Sequence, residues 1–297
     1  MTTSSQARIL QVLTLADEVP TAAELATFLA DDDANVRRTA IDVLAESAPG
    51  DAGAALASAL LDDDATVRHA AIEALTELRE LVEADDAFAA GLLRAGASPD
   101  PAVRSLTLQL QREHHLGGEE TFAAGLDDAD PGVRRQAVAG LVALGSASVL
   151  ATAHTDGDPL VRRAAARGLA TIGDPETANA LLSLAEDTDV RVRAAALEAF
   201  AAVGCPPILA AAAANALLDA EWSVRRGAAL GLKAAPAEMA LPPLLLALRD
   251  ENLDVRKAAV QALSAWAPGF AEVADALEAM LDDPDADVRA YARMALP

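Results

Sequence analysis

The residues of this sequence that are most able to do chemistry are four histidines and one cysteine. His114 and His115 form the one cluster of metal-ligating types, but adjacent histidines on a helix point in different directions and rarely share a metal. The Gly-Gly pair that follows them indicates a helix end. Cys205 stands directly before a proline with no histidine near it in the sequence, which does not fit an activated nucleophile. We therefore predict no catalytic residue, no metal site and no bound cofactor.

Regularly spaced arginines form a more informative pattern. The dipeptide Val-Arg recurs nine times in one register, at intervals of 28 to 36 residues. In eight of the nine copies an alanine follows four positions after the valine and a leucine or phenylalanine follows eight positions after it, which is the spacing of one helical face. The nine arginines are Arg37, Arg68, Arg104, Arg134, Arg162, Arg193, Arg225, Arg256 and Arg289.

A second amphipathic segment precedes most of these copies. Apolar residues recur eleven and seven positions before the valine, as in Leu25 and Leu29. Between the two segments lies an acidic turn, in which an aspartate three positions before the valine has the place of a helix N-cap. Each repeat is therefore predicted to contain a first helix, an acidic turn, a second helix and a short return with Gly or Pro.

One such helix pair cannot bury its own apolar face, so neighbouring pairs must stack to form a continuous core. The pattern predicts an all-α solenoid of about nine two-helix repeats over residues 20–297. Residues 1–19 are predicted to hold an N-terminal capping helix, and residues 1–297 to form a single solenoid.

The third repeat departs from the pattern. The step before Val103 is 36 residues, and residues 80–86 supply the extra length, which predicts a longer helix or a loop there. Thr107 and Gln111 interrupt the apolar face of the second helix, where Leu106 and Leu110 are expected to carry the face instead.

The repeats resemble HEAT repeats, specifically the short kind named after phycobilisome lyases. The matching motif is Asp-x-x-Val-Arg-x-x-Ala-x-x-x-Leu, seen for example from Asp64 to Leu75. The resemblance implies a right-handed α-α superhelix. Relatives of this kind include bilin lyases, iron-dependent hydroxylases, DNA-repair glycosylases and many scaffolds, so the fold does not determine the function. The hydroxylases use His-Glu pairs on their second helices, and this sequence contains no His-Glu dipeptide.

Each arginine after a valine falls in the first turn of a second helix, where the helix dipole disfavours a cation. Each of these nine arginines therefore needs a negatively charged partner. The acidic turns offer such a partner, an aspartate five positions before the valine. We interpret the two rows as a structural ladder of ion pairs within or between repeats; the alternative is an anion-binding arginine track. The aspartates are Asp31, Asp62, Asp128, Asp156, Asp187, Asp219, Asp250 and Asp283.

A separate set of cations, the basic stripe, lies two, six or nine positions after the valines, on the outward side of the second helices. In the family that the repeats resemble, these helices line the concave surface. The stripe is a candidate binding site for an acidic protein segment or an anionic ligand, and ordinary surface solvation is the alternative. It comprises Arg135, Arg163, Arg167, Arg226, Lys233 and Lys257.

The composition indicates which partners and which cellular environment suit the protein. The net charge of −23 disfavours nucleic acid as a partner, and the hydrophobic fraction of 53% argues against disorder. Only two lysines are present and aspartate outnumbers glutamate, as in proteins of salt-loving archaea or bacteria.

A single cysteine and the absence of a signal-peptide pattern fit the cytoplasm. Residues 199–218 carry no charge but contain a Gly-Cys-Pro-Pro break, which predicts two helices and a turn rather than a membrane span.

Together these patterns predict a non-catalytic interaction scaffold that binds one or more proteins along the face formed by its second helices. The runner-up is a lyase-like enzyme, or an enzyme subunit, related to bilin lyases. The sequence makes no prediction of the oligomeric state.

Overall fold

A computed structural model describes the backbone of residues 3–296 and the side chains of residues 4–296. This part of the chain holds nineteen α-helices and no strand, which confirms the predicted all-α class. Four short 3-10 helices are also present, at Thr152–Thr155, Pro175–Thr177, Leu232–Ala234 and Met280–Asp282.

The helices alternate as the repeat pattern predicts. The odd-numbered helices are the capping helix and the second helices of the repeats: α1 Thr3–Ala16, α3 Ala34–Ser47, α5 Ala65–Leu78, α7 Pro101–Glu113, α9 Pro131–Leu144, α11 Pro159–Ile172, α13 Val190–Ala199, α15 Trp222–Gly231, α17 Leu253–Leu263 and α19 Ala286–Ala295. The even-numbered helices are the first helices: α2 Ala22–Leu29, α4 Ala52–Ala59, α6 Asp86–Ala95, α8 Glu119–Gly125, α10 Ala147–Ala151, α12 Ala178–Ala185, α14 Pro207–Ala216, α16 Ala237–Ala247 and α18 Ala271–Ala279.

The chain divides into two compact units, Met1–Gly140 and Leu141–Pro297. In the first unit, α1, α3, α5 and α7 pack in series, and so do α2, α4 and α6. In the second unit, α11 through α19 form the odd-numbered row and α12 through α18 the even-numbered row. In each unit the core lies between its two rows. The single solenoid over residues 1–297 stays a prediction.

Local chemistry starts the second helices where the sequence predicts. The side chains of Asp33, Asp64 and Asp189 each accept a hydrogen bond from the backbone N–H two residues further on, as an N-cap does. Glu221 is the exception: it occupies the same position before α15 but its longer side chain makes no capping bond.

In the eight regular repeats the valine and the alanine four positions later are buried as predicted, and so is the leucine or phenylalanine eight positions later, except for the half-buried Leu296. Val36, Ala40 and Leu44 have no exposed surface. In the third repeat Leu106 and Leu110 are buried, but Thr107 and Gln111 are buried as well, with 0% and 6% of their surface exposed. The expectation that the leucines would replace them on the buried face was therefore incomplete, because α7 is enclosed on a wider arc than the pattern indicates.

The extra residues of the third repeat form a turn and a loop between α5 and α6, with Asp85 capping α6. Within the loop, Val82 is buried against α4, which is the first helix of the second repeat. The uncharged segment 199–218 contains the end of α13, a turn and α14. No helix in the described range is both long enough and apolar enough to cross a membrane.

Candidate functional site

Most arginines of the ladder join their own acidic turn to that of the next repeat. Arg162 donates from Nε and Nη2 to the two carboxylate oxygens of Asp187, at 2.6 and 2.8 Å. Its Nη1 donates to the backbone carbonyl of Asp156, in the turn of its own repeat, at 2.8 Å. One guanidinium group therefore ties the turn of its own repeat to the turn of the next. The same bidentate contact between guanidinium and carboxylate occurs in Arg37–Asp62, Arg104–Asp128, Arg225–Asp250 and Arg256–Asp283.

Each aspartate of these rungs also orders its own turn. The Oδ1 atom of Asp187 accepts a bond from the backbone N–H of Asp189 at 2.8 Å. The hydrogen bonds from Arg162 lower the pKa of Asp187, and those from Arg104 lower the pKa of Asp128. Only 14% of the Arg162 side chain and 8% of the Asp187 side chain are exposed. Such bidentate, poorly hydrated pairs are stronger than ordinary surface ion pairs.

Some rungs differ. Arg68 reaches Asp100 with one contact of 3.4 Å, because Ser98 occupies the position five before the valine. Arg193 approaches Asp219 no closer than 3.3 Å. Arg134 and Arg289 donate to carbonyl groups of their own turns, as the other arginines do.

Sequence reasoning missed the first rung. Arg8 of the capping helix lies 2.6 Å from Asp31, measured from Nε to Oδ2. The signal was present in the spacing, because Arg8 precedes Arg37 by 29 residues, within the range of the repeat. It was overlooked because an alanine rather than a valine precedes Arg8.

Replacing Ser98 by aspartate is expected to raise the unfolding free energy of the first unit by about 1 kcal/mol. The Arg68 guanidinium is already four-fifths buried and donates to the carbonyl groups of Asp62 and Asp63, so a carboxylate there completes the rung without ordering a new side chain. Hydrogen exchange of the amides in α5 and α7, measured by mass spectrometry, checks the predicted gain in stability. Ser98→Asn is the matched control, because it keeps a turn acceptor without the charge, and equal protection in both variants would contradict the ionic explanation.

The ladder also predicts how stability changes with pH. Because the folded-state pKa of Asp187 lies below its unfolded value of about 3.9, this carboxylate contributes stability that is complete above the unfolded pKa and is lost as the pH falls through the folded pKa. We expect Asp187→Asn to lower the unfolding free energy by about 2 kcal/mol at neutral pH and by less at an acidic pH, as the pH falls through the folded-state pKa of Asp187. Urea unfolding of both proteins at both pH values tests this; a difference that does not change with pH would contradict it.

A second arrangement lies on the outward side of the second helices in the second unit. A surface pocket of about 310 Å³, here called the arginine recess, lies over α13. Two carboxylates, those of Glu198 and Asp254, also line it, together with Ala194 and Trp222. Four arginines surround it: Arg163, Arg167, Arg191 and Arg226.

The structure brings only part of the basic stripe together. Arg163, Arg167 and Arg226 share the recess. Lys257 adjoins it through an ion pair of 2.9 Å with Asp254. The remaining two members are exposed and do not line the recess: Arg135, which belongs to the first unit, and Lys233, at the end of the second helix of the seventh repeat.

The pairing of these cations is uneven. Arg226 lies 3.6 Å from Glu198, a long ion pair, while Arg191 and Asp189 form an exposed pair of 2.9 Å. Arg163 and Arg167 have no carboxylate within ion-pair distance among the described residues. The sequence pattern did not single out Arg191, which precedes its valine by one position. A signal for the recess was available in Ala194, which stands two positions after the valine where both neighbouring repeats have arginine.

The residues of metal-ligating and nucleophilic type occupy other surroundings. His114 ends α7, as the Gly-Gly pair predicts, and its ring packs edge-on against Phe88 with centroids 5.5 Å apart. Cys205 is fully buried, and burial raises the pKa of its thiol to about 11. Among the described residues no group of three or more His, Cys, Asp or Glu side chains is arranged to hold a metal ion.

Comparisons with known proteins agree with this architecture. A family model for HEAT repeats matches residues 22–110, 119–201, 147–220 and 207–297. A solved engineered protein is 21% identical, with a TM-score of 0.58 over 99% of this chain and 95% of that one. Kap95p, whose binding changes the switch loops of RanGDP, is 14% identical, with a TM-score of 0.63 over 97% of this chain and 48% of Kap95p. Kap121p bound to Nup53p is 14% identical, with a TM-score of 0.57 over 96% of this chain and 37% of that one. No curated protein matches the sequence.

Proposed function

The chain belongs to the HEAT-repeat family, and from this premise we propose that it is a non-catalytic scaffold that binds a protein partner with acidic segments. HEAT solenoids typically mediate protein–protein interaction and are generally non-catalytic. We place the binding surface on the second-helix face of residues 141–297, which is formed by the outward sides of α11, α13, α15 and α17. The net charge of −23 supports a protein rather than a nucleic acid as the partner.

The observation that supports this most directly is the convergence of four arginines in the arginine recess of an otherwise acidic protein. Clustered guanidinium groups repel one another, and two of the four, Arg163 and Arg167, have no ion-pair partner among the described residues. A local reversal of potential of this kind steers an acidic segment toward the surface and sets its register.

A charge reversal on the second-helix face tests the proposal. The double variant Arg226→Glu with Lys257→Glu, shown by circular dichroism to be folded, is expected to lose a partner that the wild-type chain captures at high salt. Arg249→Glu is the control, since Arg249 is exposed in the same unit but does not line the recess. Unchanged capture by the double variant, with loss of capture on substitution of the first-helix side, would move the binding surface to that side.

We further propose that the repeats are of the phycobilisome-lyase-like subtype and that the protein works in the cytoplasm of a salt-loving organism. The Asp-x-x-Val-Arg motif supports the subtype. The two lysines and the surplus of acidic residues support the salt-rich setting, where ions screen the repulsion between carboxylates.

This proposal predicts that salt stabilises the protein. Raising KCl from about 0.1 M to about 2 M shortens the screening length from about 10 Å to less than 3 Å. Because the net charge is −23, we expect the thermal unfolding midpoint to rise by more than about 5 °C. Thermal melts followed by circular dichroism measure it. A midpoint that falls with salt would mean that attraction within ion pairs outweighs the overall repulsion.

A further inference from the structure

We propose that the arginine recess is the anchor subsite of this surface, and that it takes carboxylate side chains of an extended acidic segment while Trp222 packs against an apolar side chain next to them. This inference rests on the proposed function and specifies its partner. It assigns a role to Ala194, Arg191 and Trp222, none of which belongs to the basic stripe.

The recess exists because one side chain is small. Arg163 on α11 and Arg226 on α15 stand two positions after their valines, and Ala194 has the same position on α13, which packs between those two helices. A methyl group therefore lies where the neighbouring repeats have a guanidinium group, and the arginines stand on both sides of an alanine floor. At about 310 Å³ the recess is at the small end of ligand sites, which suits a few side chains.

The charges around this floor fit carboxylates. Four arginines face two carboxylates in the lining, which leaves a formal charge of +2 from the difference of four and two. Among the described residues the guanidinium groups of Arg163 and Arg167 have no ion-pair partner. The pair between Arg191 and Asp189 is solvent-exposed on the arginine side, with 60% of that side chain accessible. Planar guanidinium groups bind carboxylates in a bidentate manner, as five rungs of the ladder in this same protein do.

Trp222 supplies the apolar wall. Trp222 is 43% exposed and lines the recess, and it is one of the few large aromatic residues in a chain with 3% aromatic residues. Tryptophan and arginine together are the residue types most often responsible for binding energy at protein interfaces. The expected partner segment therefore combines consecutive Asp or Glu residues with one apolar side chain.

The test uses fluorescence anisotropy of a labelled acidic hexapeptide with one central leucine, titrated with the full chain in about 0.15 M salt. The decisive variant is Ala194→Arg. It is expected to fold, because both neighbouring repeats have arginine at this position, and it raises the positive charge while filling the recess. We expect it to weaken binding at least about tenfold, whereas attraction by charge alone would strengthen binding. Equal or tighter binding by Ala194→Arg would overturn the inference.

Companion variants keep the test informative if Ala194→Arg misfolds. Arg163→Glu is expected to weaken peptide binding about tenfold or more, and Arg249→Glu to leave it within about twofold. Trp222→Ala is expected to weaken binding of the leucine peptide more than binding of an all-glutamate peptide, and an equal effect on both would remove the apolar contact from the proposal. If Arg226→Glu with Lys257→Glu abolishes partner capture while Ala194→Arg and Arg163→Glu leave peptide binding intact, the proposed function stands and the anchor subsite does not. If capture is unaffected by that double variant while Ala194→Arg and Arg163→Glu abolish peptide binding, the anchor subsite stands and the proposed location of the partner-binding surface fails by itself.

Discussion

Replacing Arg225 by methionine is expected to lower the unfolding free energy of the second unit by about 3 kcal/mol. Arg225 is the most buried arginine of the ladder, with 8% of its surface exposed. It donates to Asp250 at 2.7 and 3.0 Å and to the carbonyl group of Asp219 at 2.9 Å. Methionine keeps the apolar stem but leaves the Asp250 carboxylate, itself 11% exposed, without its counter-ion.

The measurement is urea unfolding followed by circular dichroism, with hydrogen exchange of α15 and α17 to locate the loss within the repeat array. Arg191→Met is the matched control: its pair with Asp189 is exposed, so a change of no more than about 0.5 kcal/mol is expected. Adding Asp250→Asn to Arg225→Met should cost less than the sum of the single changes, because the two groups share one network. A cost for Arg225→Met as small as that of the control would mean that the ladder contributes little stability.

Gly231→Ala is expected to destabilise the second unit by about 3 kcal/mol, although alanine is ordinarily the better helix former by about 1 kcal/mol. A Cβ atom at this position would lie 2.2 Å from the carbonyl oxygen of Leu197 and 3.2 Å from Cβ of Phe200. The backbone of α13 cannot yield as a flexible side chain can, so α15 must move away from it. Gly227 packs against α13 in the same way, since a Cβ atom added there would lie 2.6 Å from the carbonyl oxygen of Ala194.

Thermal unfolding and hydrogen exchange of α13 and α15 check this expectation, with Gly157→Ala as the control. Gly157 lies in the same unit, and nothing approaches its added Cβ within 4 Å. The close contact between α13 and α15 also shapes the arginine recess, whose floor is α13 and one of whose walls is Arg226 on α15. Gly231→Ala should therefore weaken hexapeptide binding as well; a stable, fully binding variant would show that the two helices can separate at little cost.

The sequence was sufficient for the elements and for the acidic turns because their causes are local. Helical faces arise from contacts three and four residues apart, and an aspartate caps a helix through an N–H two residues away. This is why the helix alternation and the caps were predictable. Of the exceptions, one is local in origin and one arises from tertiary packing. Glu221 has one methylene too many to cap in the same way, and Thr107 and Gln111 lie on a helix enclosed more widely than its pattern indicates.

The sequence determined by itself that the chain is a helical repeat protein, which residues face the core, and which aspartates and arginines are candidates for pairing. The tertiary structure decided that the bidentate rungs described above run to the next repeat, as Arg162 does to Asp187, rather than staying within one. It also decided that Arg163, Arg191 and Arg226 meet around Ala194, while Lys233 does not join them. The physical reason is distance along the chain. These groups are 25 or more residues apart or belong to different helices, so their meeting depends on how neighbouring helices pack, and a close backbone contact such as that at Gly231 sets that packing without leaving a periodic signal.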